Sequence, residues 1–452
     1  MSTGPTTPAA PVAWPDGLPT AAEIDAAAAT LAGVIDPTPL QPAPRLSALT
    51  GCDVWLKRED LTPVRSYKAR GAYNVVAGLS DEAKAAGVTC ASAGNHAQGV
   101  AFACARAGVR ATIFLPRTTP RQKRDRVAAL GGSYVDVVIA GDTYDDSAVA
   151  AAEYAEASGA TVLPAFDHPG VIAGQGTVMA EILAQLREAG RRLDHVVVPV
   201  GGAGLLAGAM TYLAAHAPEV VVHAAEPAGA ASLAAALEAG APVALTTVDQ
   251  FVDGAAVRRV GDLTFAVVRA AADRRPRSHA VLLPVSVPEG EICVEMLDLY
   301  QTDGIIAEPA GALASAALRI SGHSPTGDPA DHLIGAGRTV VCVVSGGNND
   351  VSRYADIVER ALVHEGLKHY FLVEFPQEPG ALRRFLDDVL GPDDDITLFE
   401  YTKRNNRETG PALVGIEMAH RDDLDGLVAR MEASRLRVQR VDPGSPLFGF
   451  VS

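Results

Sequence analysis

Apolar positions along this chain recur in two alternating rhythms. Short apolar runs, DVWLK (53–57), VTCAS (88–92), ATIFL (111–115), YVDVV (134–138), HVVVPV (195–200), VVVHAAE (220–226) and TVVCVVS (339–345), are separated by longer stretches with apolar residues at helical spacing. Several of the runs are apolar throughout, which predicts strands covered on both faces. Stretches such as HAQGVAFACARAG and RQKRDRVAALGG end in glycine, a common helix terminus. This alternation, from about residue 21 to 365, predicts a mostly parallel α/β architecture. Ligands in such folds bind at the carboxyl ends of the strands.

Beyond residue 365 the rhythm changes. YFLVEF (370–375), a helical ALRRFLDDVL (381–390), then ITLFEYTKR (396–404) and PALVGIEM (411–418) around the polar NNRETG, a helical DDLDGLVARMEAS (422–434) and LRVQRV (436–441) follow one another. That is the ferredoxin-like order β-α-β-β-α-β. At 452 residues the chain exceeds one ordinary core. The expected division is a flexible leader (1–20), an α/β domain (21–365) and a small domain (368–442) joined through HEGLKH. The leader lacks a basic start followed by an apolar core, so it does not read as a signal peptide.

Composition narrows the class. With 48% apolar and 20% charged residues the chain reads as a soluble globular protein. A net charge of −16 argues against nucleic acid or an anionic membrane as partner, but leaves a small anionic ligand in a local pocket open. No apolar run is long enough to span a bilayer. Cys52, Cys90, Cys104, Cys293 and Cys342 are scattered through mostly apolar runs, which fits reduced thiols in a cytoplasmic protein with no disulfide frame and no metal site.

Three glycine-bearing segments each follow a predicted strand: SAGNHAQG (92–99), GGAGLLAG (201–208) and SGGNND (345–350). They are expected on the rim of one sheet. GGAGL lets main-chain N–H groups approach a ligand ahead of a helix, which suits a phosphate, although such turns often serve tight packing alone. Its spacing is neither GxxxxGK[ST] nor GxGxxG, which disfavours nucleotides. SAGNHAQG could receive a carboxylate at a helix start; Ser92 or Asn95 could equally be an N-cap, and His96 a base or a structural residue. In SYKARGAYN, Lys68 is expected at a helix start after Thr62-Pro63. Amide dipoles there disfavour its charged form, and a neutral amine forms Schiff bases with aldehydes; a solvated surface lysine is the plain alternative.

Together, SYKARGAYN, SAGNHAQGVAF, FDHPGVIAGQGT, PVGGAGLLAG, AEPAGALA and VVSGGNND resemble the pyridoxal-phosphate (PLP) enzymes of the tryptophan-synthase-β fold type, and among these biosynthetic threonine dehydratase. The resemblance covers roughly residues 30–360, and the tail is similar to that family's ACT-like regulatory domain in a single copy. It implies that Lys68 holds pyridoxal 5'-phosphate and acts in catalysis, and that Asn95 meets the ring hydroxyl. Gly201, Gly202, Ala203, Gly204 and Leu205 would form the phosphate cup, and Ser345 would meet the ring nitrogen. Ser92, Ala93, Gly94 and His96 would receive the substrate carboxylate.

Ala203 departs from the four-glycine cup of many relatives. A methyl there is expected to require negative φ and a Cβ directed away from the phosphate. The implied reaction is α,β-elimination of L-threonine to 2-oxobutanoate and ammonia, the first step of isoleucine biosynthesis. The implied effector is isoleucine, with valine as second candidate, near Gln377, Glu378, Gly380, Ala381 and Leu382 of a homotetramer. Serine dehydratase, serine racemase and a non-catalytic amino-acid sensor are the competing readings, and the tail could serve oligomer contacts alone. The segments 166–169 and 308–312 are family-like, with no chemistry assigned to them.

Overall fold

The computed structural model describes residues 15–273, 282–322, 334–403, 407–434 and 436–443, together with 445 and 448. Most of the expected leader (1–14) and part of the NNRETG loop (405–406) lie outside the described residues. The chain forms two compact units, Met1–Glu289 with Asp298–Asn349, and Gly290–Leu297 with Asp350–Ser452.

Among the described residues the first unit contains ten strands: β1 (Leu40–Pro42), β2 (Asp53–Arg58), β3 (Val88–Ala91), β4 (Ala111–Leu115), β5 (Val135–Ile139), β6 (Thr161–Val162), β7 (His195–Pro199), β8 (Val221–Pro227), β9 (Leu282–Val287) and β10 (Thr339–Val344). All seven predicted runs are strands, and the pairing is parallel except for β1 against β2. They divide into two sheets, β1-β2-β10-β7-β8-β9 and β5-β4-β3-β6. This corrects the expectation of one rim: SAGNHAQG leaves the smaller sheet, whereas GGAGLLAG and SGGNND leave the larger. An apolar run shows that a strand is covered, not which strand it pairs with. The three strands the pattern missed are short or interrupted; β9 carries Pro284 and lies at a sheet edge, where a lost donor is tolerated.

Helices Pro169–Glu188 and Gly204–His216 cover the larger sheet, packing Ile172, Ile182, Leu206 and Leu213 against Val196, Val198, Val222 and Val341. Helices Lys68–Ala77 and Asn95–Ala107 pack on the smaller sheet through Val76, Val100 and Cys104 with Cys90, Ile113 and Leu115. Helices Lys68–Ala77 and Pro169–Glu188 cross at Gly71 and Gly174, where a Cβ on Gly174 would lie 2.6 Å from Gly71 Cα.

A buried charge cluster fixes that crossing. Arg70 Nε and Nη2 donate to the two oxygens of Glu59 (both 2.8 Å), and Nη1 and Nη2 donate to Glu181 (2.5 and 2.9 Å). Lys57 Nζ donates to Glu181 Oε2 (2.6 Å), Thr38 O (2.8 Å) and Gln185 Oε1 (2.9 Å). Lys57 and Glu59 are fully buried and Arg70 nearly so. Burial alone would push the Glu59 carboxyl up, but the Arg70 guanidinium overrides it and holds it below the usual carboxylate range.

The second unit contains β11 (Lys368–Pro376), β12 (Asp395–Tyr401), β13 (Thr409–Glu417) and β14 (Arg437–Arg440), with helices Ala381–Asp388 and Leu424–Ala433 between them. The sheet order is β12-β13-β11-β14, antiparallel throughout. Phe371, Phe375, Phe385, Val414 and Leu427 form its core. The β-α-β-β-α-β order is as the sequence predicts.

Replacing Arg70 by Met leaves the buried Glu59 carboxylate without its ion-pair partner, while the partly exposed Glu181 keeps Lys57. Removing one partner of a buried ion pair costs about 3–5 kcal/mol. The urea midpoint of Arg70→Met should fall accordingly, and Glu59→Gln added to it should recover part of the loss.

Candidate active site

Lys68 is the first residue of helix Lys68–Ala77, and no side chain caps that helix. Residues two apart on a helix point about 200° away from each other, so with Arg70 anchored in the core Lys68 faces the other way. Its Nζ, half-buried, donates to Ala165 O at 3.0 Å. The next residue, Phe166, lies against the glycine loop after β7: a Cβ on Gly202 would come within 2.3 Å of the Phe166 ring. The amine and the GGAGL loop thus meet through two consecutive residues of the FDHP segment and its neighbour.

The loop enters helix Gly204–His216 with Ala203 at the N-cap and no side-chain cap. Ala203 has φ +66° and ψ 11°, which corrects the expectation of negative φ. This left-handed geometry costs a non-glycine residue about 1 kcal/mol. Its side chain is buried in the apolar core of the larger sheet. Gly202, Ala203, Gly204 and Leu205 are all buried and Gly201 partly so. A buried helix start with no cap calls for an anion from outside the chain.

The SAGNHAQG loop begins helix Asn95–Ala107 at Gly94, again with no side-chain cap. Ser92 Oγ accepts from the Gly94 amide (3.3 Å) and Ala93 is half-buried. Asn95, a candidate cap in the sequence, turns elsewhere: its Nδ2 donates to Glu308 Oε1 (2.6 Å) and its Oδ1 accepts from Asn348 Nδ2 (2.7 Å). These two bonds join the rims of the two sheets. His96 is buried, its Nε2 donates to Leu163 O (2.8 Å), and burial with the nearby Lys68 charge holds its imidazole down at about 4. It is neutral at physiological pH.

Ser345 closes the site at the end of β10, with Oγ buried and donating to Ala310 O (3.0 Å). Its carbonyl accepts from the Tyr67 amide (3.1 Å), and Ser66 bridges Gly346, so the Lys68 segment is stitched to the β10 loop. Glu308, which carried no sequence assignment, is buried against Gly346 and accepts from Asn95. Burial, reinforced by Asp253, pushes its carboxyl up to about 7. The signal for it was the AEPAGALA run; what the run does is visible only in contact with Asn95.

The tail residues are placed differently. Gln377 Nε2 donates to Arg407 O (2.7 Å), Glu378 pairs with Arg384, and Gly380 starts helix Ala381–Asp388 at φ +84°. Ala381 is buried in the tail's core, while Leu382 is exposed.

Residues 31–346 match the family described as pyridoxal-phosphate dependent enzyme, and residues 359–451 match the C-terminal regulatory domain of threonine dehydratase. The chain is 57% identical over 430 residues to L-threonine dehydratase biosynthetic IlvA of Mycobacterium tuberculosis, covering 95% of both chains. It is 48% identical over 415 residues to the protein of the same name in Bacillus subtilis, covering 92% of this chain and 93% of that one. Among solved structures it is similar to the processed form of threonine deaminase isoform 2 from Solanum lycopersicum (TM-score 0.65, 36% identity, 79% of this chain and 99% of that one). Maize serine racemase is also similar (TM-score 0.66, 29% identity, 76% of this chain and 98% of that one).

Gly202→Ala forces the Phe166 ring or the loop to move, an overpacking cost of about 1–3 kcal/mol. Titration with pyridoxal phosphate, followed by the absorbance of the bound form, should show roughly tenfold or greater weakening, partly restored by adding Phe166→Leu.

Proposed function

The chain belongs to the pyridoxal-phosphate-dependent enzymes and carries a threonine-dehydratase regulatory domain, and from this we propose that it is a threonine ammonia-lyase, taking L-threonine to 2-oxobutanoate and ammonia. The observation that carries the reading is the meeting of Lys68 Nζ with the uncapped, buried loop 201–205 through Ala165 and Phe166. An amine and an anion cradle so joined suit a ligand that carries an aldehyde and a phosphate.

When bound, the cofactor supplies a sink for negative charge developing at the substrate α-carbon. The chain's own groups do the rest. Lys68 would bind the cofactor aldehyde and, once released from it, take the α-proton at Nζ. The amides of 201–205 would hold the phosphate, and Asn95, held by Glu308 and Asn348, would meet the ring hydroxyl. Ser345 Oγ would meet the ring nitrogen; a hydroxyl would not keep that nitrogen protonated as a carboxylate would, which would favour loss of the β-hydroxyl over reprotonation elsewhere. The uncapped start at Ser92, Ala93, Gly94 and His96 receives the substrate carboxylate. Loss of water from threonine and hydrolysis of the resulting enamine in free solution yield the oxo acid and ammonia.

The tail supports feedback control by an amino acid. The reading here is isoleucine, with valine as second candidate, acting through residues 377–382 of a homotetramer in the cytoplasm. Similarity to maize serine racemase keeps serine chemistry in view, so turnover of L-threonine should be compared with that of both serine enantiomers.

Borohydride reduction of the coloured protein followed by peptide mapping should place the label on Lys68; label on another lysine, or a colourless protein, would overturn the assignment. Isoleucine added in a titration should lower activity at subsaturating threonine and raise the melting temperature. Indifference to both isoleucine and valine would leave the tail a purely structural role.

A further inference from the structure

The FDHP segment does more than seat the amine. Asp167, directly after Phe166, accepts the amides of Asp262 (3.1 Å) and Thr264 (3.0 Å) with its two carboxylate oxygens, fixing the start of helix Asp262–Asp273. A Cβ on Gly261 would lie 2.1 Å from Asp167 Oδ1, so this approach requires glycine there. Thr264, fully buried, turns its hydroxyl onto the glycine loop and donates to Gly202 O at 2.8 Å. Three consecutive residues, 165–167, therefore hold the Lys68 amine, pack under Gly202 and orient the helix that grips Gly202 from behind.

The gripped carbonyl belongs to the peptide joining Gly202 to Ala203. In a trans peptide the C=O and the following N–H point in opposite directions. Holding Gly202 O against Thr264 thus turns the Ala203 amide to the other side, into the cradle. Ala203 sits at φ +66°, a geometry an alanine leaves readily. The simplest escape is a flip of this one peptide, which changes ψ of residue 202 and φ of residue 203 together and reverses the amide. A glycine at 203 would feel no such pull.

Resting on the cofactor reading above, we infer that Thr264, oriented by Asp167, is a positioning residue that keeps the strained 202–203 peptide from flipping and so keeps the Ala203 amide available to the cofactor phosphate. Neither residue touches the cofactor in this assignment; both act through the loop.

The test compares two ligands that differ only in the phosphate. Equilibrium affinities for pyridoxal phosphate and for pyridoxal are measured by absorbance titration of the full chain, freed of cofactor, for wild type, Thr264→Val, Thr264→Ser and Asp167→Asn. Thr264→Val should bind pyridoxal phosphate about tenfold more weakly, as expected for one lost buried hydrogen bond, and pyridoxal within twofold of wild type. Thr264→Ser should retain both affinities, and Asp167→Asn should shift in the same direction by less. Adding Ala203→Gly to Thr264→Val should recover part of the loss, since glycine removes the pull toward the flip. Equal weakening for both ligands would reveal general loosening and overturn the inference, as would unchanged affinity for pyridoxal phosphate. Should Thr264→Val fail to fold, Asp167→Asn decides by the same ratio, with Thr264→Ser as the control that retains the hydroxyl. Failure of the wild-type protein to take up pyridoxal phosphate at Lys68 would instead sink the cofactor reading itself.

Discussion

The buried charge cluster around Arg70 is the constraint on which the site's geometry rests. Lys68 and Ala165 are 97 residues apart in sequence yet hydrogen-bonded, and each adjoins one of the two helices that the cluster clamps. Arg70 fixes helix Lys68–Ala77 from within, Glu181 fixes helix Pro169–Glu188, and Lys57 and Glu59 hold both against β2 and the turn that follows it. A hydrophobic contact of the same area would let the helices slide by a fraction of an ångström. Ion pairs with four directional hydrogen bonds from one guanidinium do not, at the expense of desolvating the charges. The neighbouring glycines, Gly71 and Gly174, bring the backbones close enough for the cluster to be completed.

From that fixed point the site is built of main chain as much as of side chains. Lack of a side-chain cap is not special to the site helices, since the surface helix Arg121–Gly131 also starts without one. What distinguishes residues 203–205 is that the uncapped start is buried, so water cannot satisfy it freely. Elsewhere the chain supplies its own acceptors, with Thr20, Ser80 and Thr143 each capping a helix. Asn95 illustrates the difference: in an ordinary helix its side chain would fold back as a cap, and here it reaches across to Glu308 and Asn348 on the opposite sheet. The Glu308 carboxyl, pushed up toward neutrality by burial, is the one titratable group in this bracket.

These particulars explain how much could be read from sequence. Seven strands of the α/β unit and the order of the tail were legible because both follow local periodicity; β1, β6 and β9, short or interrupted, were not. Lys68 was legible because a lysine at a helix start violates a local rule. The division into two sheets was not, because strand partners are chosen by packing across the whole unit. Glu308, Thr264 and Asp167 were not assigned because each acts at long range: on Asn95 213 residues away, on Gly202 62 residues away, and on Thr264 97 residues away. Ala203 misled in an instructive way. Alanine suggests negative φ, yet the burial of its methyl in the core of the larger sheet and the hold of Thr264 on the preceding carbonyl keep it left-handed.

The charge balance then becomes intelligible. A chain of net charge −16 must hold an anionic cofactor and an anionic substrate without help from its overall charge. A cluster of lysines would provide local attraction, but its amines would also compete for the aldehyde. Main-chain amides at helix starts provide positive potential with no proton to lose and no nucleophile to misdirect. The cost is that amides can be aimed only by fixing the backbone. That is why glycine clearances, a strained alanine, a threonine grip and a buried ion cluster converge on so small a volume.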